Sequence, residues 1–125
     1  MSSESRIRIE NIEMSDYNPD RWVVVKITQK DVSPLYKVFA SWYGGYNGSD
    51  SWRMNSGIAK VSLYEHVYSF HGYSGSVYEC NDGNYGCSIY GHGIILGMCA
   101  NAELQGVEIE MLPEETNWLE INYAN

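Results

Sequence analysis

The stretch Arg21 to Thr28, RWVVVKIT, leaves this chain the least freedom. It is rich in β-branched residues and apolar on both faces from Trp22 to Val25, which makes it the candidate central strand of a sheet. Shorter alternations supply neighbours. In RIRIENIEM, residues 6 to 14, Ile7 and Ile9 face one way and Arg6, Arg8 and Glu10 the other, the pattern of a half-buried strand. After a turn at Lys30 to Pro34, Leu35 to Tyr43 returns as a further strand. Ile58 to Gly72 alternates loosely, and its Tyr and Val content favours strand; Ser76 to Cys80 reads as another. In GVEIEML, Gly106 to Leu112, Val107, Ile109 and Met111 are expected inward and Glu108 and Glu110 outward. Trp118 to Tyr123 is expected to run back as the final strand, with Leu119 and Ile121 on the core side and Glu120 outside.

From Cys87 to Leu104 the pattern changes. Ile95, Met98, Cys99 and Ala102 fall at helical spacing, and Gly106 is placed to terminate a helix. Gly91, Gly93 and Gly97 each cost about 1 kcal/mol inside a helix. A buried helix lying close against the sheet accommodates them; a strand through Gly93 to Cys99 is the alternative. These elements predict one α+β domain over residues 1–125, with residues 1–5 as a flexible tail. The expected architecture is a mainly antiparallel, twisted sheet of six to seven strands with one buried helix near residues 87–104.

The run SWYGGYNGSDSWRMNSG, Ser41 to Gly57, reads as a long hairpin tip, because Asn47-Gly48 favours the positive φ angles of a tight reversal. Symmetric pairing would set Trp42 across from Trp52. The same composition suits a recognition loop, with Tyr and Trp as stiff contact area and Ser, Gly and Asn as adaptable hydrogen bonding. Gly72 to Ser76 echoes Gly45 to Ser49 and suggests a second aromatic turn. Tyr43, Tyr46, Trp52, Arg53 and Tyr73 are therefore the candidate contact residues, since Tyr, Trp and Arg dominate interface hot spots.

Charge is divided unevenly. Residues 1 to 60 hold eight Lys or Arg and seven Asp or Glu, whereas residues 61 to 125 hold nine acids and no base. Carboxylates in the second half have no base nearby in sequence, so they are either solvated or matched by a cationic partner. Glu108 and Glu110 share one face of their strand. If Pro113 to Thr116 is a hairpin turn, Glu120 returns beside Glu110, with Glu114 and Glu115 at the tip. This cluster is the candidate surface for a basic protein.

Chemistry is harder to find. His66, His71, His92, Cys80 and Cys87 are the possible soft ligands, but His-x4-His and Cys-x6-Cys match no usual structural zinc spacing, and the two Cys read as flanks of a hairpin turn. No metal or cofactor is expected. His71, Cys80 and Asp82 are close in sequence, yet nothing in the pattern makes them converge as a nucleophile, base and orienting acid. There is no Gly-x-Ser-x-Gly elbow, phosphate loop or dinucleotide fingerprint, so an enzyme is not expected. Direct nucleic-acid binding is disfavoured because Lys and Arg are not clustered. The polar amino terminus lacks the apolar core of a signal peptide, and no apolar run is long enough for a membrane span, which predicts a cytoplasmic protein. Three cysteines, an odd number, argue against a complete disulfide framework.

At SWYGGYNGSDSWRMNSG and GYSGSVYEC the sequence resembles small uncharacterised proteins encoded by bacteriophages and prophages. The likeness covers about a third of the chain and carries no catalytic residue across. What it implies is context: an acidic binder or inhibitor of host machinery, acting in the host cytoplasm on a nucleic-acid-binding or defence protein. A small-ligand binder, with the Tyr and Trp turns forming a pocket for a sugar or nucleotide, is the expectation from another class. A minor virion or assembly protein is a further alternative.

Overall fold

The protein is described by a computed structural model covering residues 16–44 and 48–123. The strand expected over residues 6–14, the tail over residues 1–5, Tyr46 and Asn47 lie outside the described residues. In chain order the elements are β1 (Arg21–Gln29), β2 (Val32–Trp42), β3 (Ser51–Met54), β4 (Ile58–Tyr64), β5 (Val67–Gly72), β6 (Val77–Asn81), α1 (Ile89–Glu103) and β7 (Val107–Met111). The fold is α+β, and among the described residues seven strands divide between two antiparallel sheets, β3-β2-β1-β7 and β4-β5-β6. Among the described residues no helix is long and apolar enough to cross a membrane.

The double-sided apolar pattern of β1 finds its explanation in three layers. Val23 and Val25 turn toward α1 and cluster with Phe39 and Ile95, with Met54, Met98, Cys99 and Ile109 packed around them. Trp22 and Val24 turn the other way and meet Ile58, Phe70, Tyr78 and Cys80 of the second sheet. The first sheet is thus buried on both faces, which is why its central strand carries no alternating polar residue from Trp22 to Val25. Trp22 is only 1% exposed. Burying an indole of about 150–250 Å² is worth roughly 4–6 kcal/mol, so this ring is a main anchor between the layers.

The helix begins at Ser88, whose hydroxyl accepts the Gly91 N–H at 3.0 Å, the usual N-cap arrangement. Gly91 is the glycine that close packing requires: a Cβ there would stand 3.3 Å from the Phe39 ring. Gly93 and Gly97 face open space, and Ile89 is 95% exposed, so α1 buries one face only.

Three expectations are corrected. Asn81 does not open a hairpin. Its side chain caps Gly83, residues 82–84 form a single 3₁₀ turn, and Cys87 then leads into α1. The hairpin between β2 and β3 pairs Ser41 with Trp52 and Trp42 with Ser51, one residue off the symmetric register, so the two indoles lie on opposite faces.

The third correction concerns Trp118 to Tyr123, which is not a strand. Asn117 accepts the Leu119 N–H on its side chain and the Glu120 N–H on its carbonyl, which closes a turn. Trp118 and Tyr123 are buried by that turn, while Leu119 is 49% exposed. Two large rings bury more apolar area than Leu119 and Ile121 would, and the Tyr123 hydroxyl donates to the Trp118 carbonyl at 2.6 Å, tying the turn shut.

Candidate functional site

The carboxylates of the two halves are used differently. Asp16, Asp20 and Asp50 are structural: each accepts a backbone N–H, from Val77 at 3.0 Å, Tyr43 at 2.9 Å and Gly44 at 2.7 Å. In the second half Asp82 is engaged, through His66 Nδ1 at 3.3 Å. Among the described residues the eight glutamates from Glu65 to Glu120 make no hydrogen bond or ion pair with their side chains. Glu108 and Glu110 project from one face of the edge strand β7, opposite Thr28 and Lys26 of β1. Lys26 is thus the first-half base that comes closest to this cluster in register.

The remaining acids are redistributed by the turn at Asn117. Pro113 to Thr116 does reverse the chain, with the Thr116 N–H and hydroxyl both donating to the Pro113 carbonyl. Beyond it the chain enters the core at Trp118 and does not return beside β7. Glu120 therefore does not oppose Glu110 across a strand pair, and Glu115 and Glu120 stand exposed on separate turns. Glu114 and Asp82 instead stand at the wall of a common depression. Both line a well of about 230 Å³ whose other walls are Trp22, Tyr68, Tyr85, Thr116 and Trp118.

The aromatic candidates are likewise spread over two faces. Trp52 lies on the α1 side, while Arg53 emerges on the other and sits 4.8 Å over the Tyr17 ring. Tyr43 is 54% exposed at the start of the hairpin. Tyr73 belongs to the turn between β5 and β6 and donates its hydroxyl to the Tyr123 carbonyl at 2.8 Å, which makes it a clasp for the C-terminal segment. A sugar or nucleotide site on the Tyr and Trp turns would need these rings on one side. Among the described residues, neither the 230 Å³ well nor a larger open groove of about 730 Å³ between α1 and β7 is lined by them.

No protein family, curated protein or solved structure matches this chain.

The thiol and imidazole chemistry weighed in the sequence is not assembled. Cys80 pairs with Tyr68 and is fully buried, and burial pushes its thiol up, away from the thiolate a nucleophile needs. His71 pairs with Val77 three positions along, on the opposite face of the sheet. Asp82 is held by His66. Cys99 donates its S–H to the Ile109 carbonyl at 3.3 Å within the α1 cluster. Among the described residues no three His, Cys, Asp or Glu side chains gather as a metal site.

Tyr85, which the sequence did not single out, organises the well. Its ring meets Trp22 edge-on at 4.7 Å and Trp118 at 5.3 Å. Its hydroxyl accepts the Val24 N–H at 3.2 Å and donates to the Leu112 carbonyl, standing in the β1/β7 ladder where the strands part. Burial pushes this hydroxyl up to about 12. The Trp22 indole is fixed in turn by Nε1–H donating to the Asn81 carbonyl at 2.7 Å. Together with Tyr68, these rings come from four separate places in the chain, and no local spacing in the sequence marks them as neighbours.

Proposed function

We propose that this chain is a non-enzymatic, acidic interaction protein whose second half binds a basic surface on a protein partner. The observation that supports it is the set of glutamates from Glu65 to Glu120, whose side chains, among the described residues, accept no hydrogen bond and pair with no cation. Such carboxylates stay solvated in the free protein and find cations only in a complex. Their field favours encounter with a positive surface and excludes acidic ones. The resemblance of the aromatic turns to phage-encoded proteins makes the partner a host nucleic-acid-binding or defence protein. Covering the Lys and Arg side chains that would hold phosphate inhibits it.

Capture from host lysate at low and high salt, followed by reconstitution with the purified partner, tests this reading. The partner should be basic, and its affinity should fall steeply as ionic strength rises. Reversing Glu108, Glu110 and Glu114 to Lys should abolish the interaction in a folded protein. A triple variant that binds like the wild type across the salt range leaves the reading without its support.

A further inference from the structure

We propose that the outward face of α1 is the contact surface of a two-fold dimer, with a second copy of this chain as its occupant. The helix, IYGHGIILGMCANAE, carries one formal charge, at Glu103, and buries Gly91 and Ile95. A helix this apolar all round is normally covered on every side. Here the side away from the sheet is open: Ile89 is 95% exposed, Leu96 55%, and Leu104, at the C-cap, 85%. Gly93, Gly97 and Ala100 are exposed between them. At 3.6 residues per turn these six positions share one strip about 100° wide, and a contiguous apolar strip of this kind is uncommon on a monomer.

Gly93 and Gly97 weaken a helix relative to Ala, and the monomer does not require them, since a Cβ at either would meet no atom within 4 Å. They become useful where another backbone must come close. The order of large and small residues selects a second copy. About the midpoint between Leu96 and Gly97, the helix read backward sets Ile89 level with Leu104, Gly93 with Ala100 and Leu96 with Gly97. An antiparallel pair of these helices on a two-fold axis makes each of those matches twice, with large residues meeting at the ends and Gly93 meeting Ala100 where the axes are closest. An isologous dimer requires such reciprocity, and an unrelated partner does not.

The flanks complement each other as well. His92 and Glu103 border the strip on one side, Tyr90 and Asn101 on the other, and among the described residues none of these four side chains makes a hydrogen bond or ion pair. In the antiparallel pair each flank meets the same flank of the other copy. His92 then stands two residues, about 3 Å along the axis, from Glu103 of the second copy, and Tyr90 stands likewise by Asn101. Imidazole suits carboxylate and phenol suits amide, and each match forms twice. Two copies of net charge −8 therefore meet at this strip without acid facing acid. The strip is about 22 Å long. With its flanks it lies at the low end of specific interfaces, below roughly 1,200 Å² in total, so the dimer dissociates on dilution.

The test is sedimentation equilibrium of the full chain over a dilution series from about 500 to about 1 μM, which brackets a weak specific dimer. The wild type should pass from twice the mass of one chain to the mass of one chain. Gly93→Glu and Leu96→Glu, made separately, should each raise the dissociation constant by about a hundredfold or more. Both should stay folded by circular dichroism. Gly93→Glu should melt no lower than the wild type at a concentration where both are monomeric, because the site is open and Glu favours a helix over Gly. Orientation is read by mixing Ile89→Cys with Leu104→Cys under mild oxidation, where mass spectrometry should find peptides linked between positions 89 and 104.

A wild type that stays monomeric through the series overturns the proposal and leaves the face to a different molecule. A dimer that persists undiminished in both folded glutamate variants overturns it too, because the contact then lies elsewhere on the chain. Ile89→Cys linking to its own copy at position 89, with no link to position 104, overturns the antiparallel two-fold.

Discussion

Trp52 lies flat on Phe39, with ring centroids 5.3 Å apart and planes 13° from parallel. Phe39 is 1% exposed and Trp52 39% exposed, so the indole is a lid over the cluster beneath α1. The stack is diagonal, because Trp52 pairs with Ser41 and Phe39 with Met54. Trp52→Ala should cost about 2 kcal/mol, from lost area and lost stacking. Tyr43→Ala, on the same hairpin, should change stability by less than about 0.5 kcal/mol. Urea unfolding of the two variants checks the contrast.

Trp118 should be worth more than any residue of the aromatic hairpin. It packs against Trp22 at 5.9 Å and Tyr85 at 5.3 Å, closing the layer interface from outside the sheets. Trp118→Ala should cost about 3–5 kcal/mol. Tyr123→Phe, which removes only the hydroxyl bonded to the Trp118 carbonyl, should cost about 1 kcal/mol. Equilibrium denaturation distinguishes the two magnitudes.

Lys26 and Glu110 face each other across β1 and β7. Glu110→Lys places like charges opposite and should destabilise by roughly 0.5 kcal/mol; the swap Lys26→Glu with Glu110→Lys should recover most of the loss. A double-mutant cycle at low salt, repeated at high salt where the coupling should fade, measures it.

His71 should make the protein acid-sensitive. Burial first, and the neighbouring Lys60 second, hold its imidazole below the ordinary value of 6.5. The folded state thus binds fewer protons than the unfolded chain just below that pH, so this contribution is complete above 6.5 and is lost as pH falls through the folded value. His71→Gln should flatten the decline in urea midpoint between pH 7.5 and pH 5.

Buried tyrosines act at the other end. Burial pushes both Tyr78 and Tyr85 from the ordinary 10.0 up to about 12. The folded state keeps these protons longer, so their contribution is complete below 10.0 and is lost as pH rises through about 12. Tyr85→Phe should lower stability by about 1–3 kcal/mol at neutral pH, because Val24 N–H and the Leu112 carbonyl lose their partner, and should reduce the alkaline loss. Thermal melts from pH 8 to 11 follow both effects.

Much of the fold was legible in the residues because strand and helix patterns are local. The double-sided apolar run of Trp22 to Val25 marked the central strand, the alternation of Val107 to Met111 marked an amphipathic strand, and the spacing of Ile95, Met98, Cys99 and Ala102 marked the helix. In each case side-chain direction follows backbone geometry over a few residues. The division into two sheets was not legible, since covering β1 with a helix on one side and a sheet on the other is a long-range choice. Nor was the fate of Trp118 to Tyr123, where alternation and burial disagreed: Leu119 and Ile121 fit a strand, but two rings in the core and a turn capped by Asn117 outweighed it. The same choice kept Glu120 from returning beside Glu110 and left Glu114 and Asp82 lining one well. The sequence by itself determined how many acids have no base near them in the chain; only the tertiary packing of Trp22, Tyr68, Tyr85 and Trp118 decided that Asp82 and Glu114 line one well, because rings so far apart in the chain become neighbours only by burying their area together.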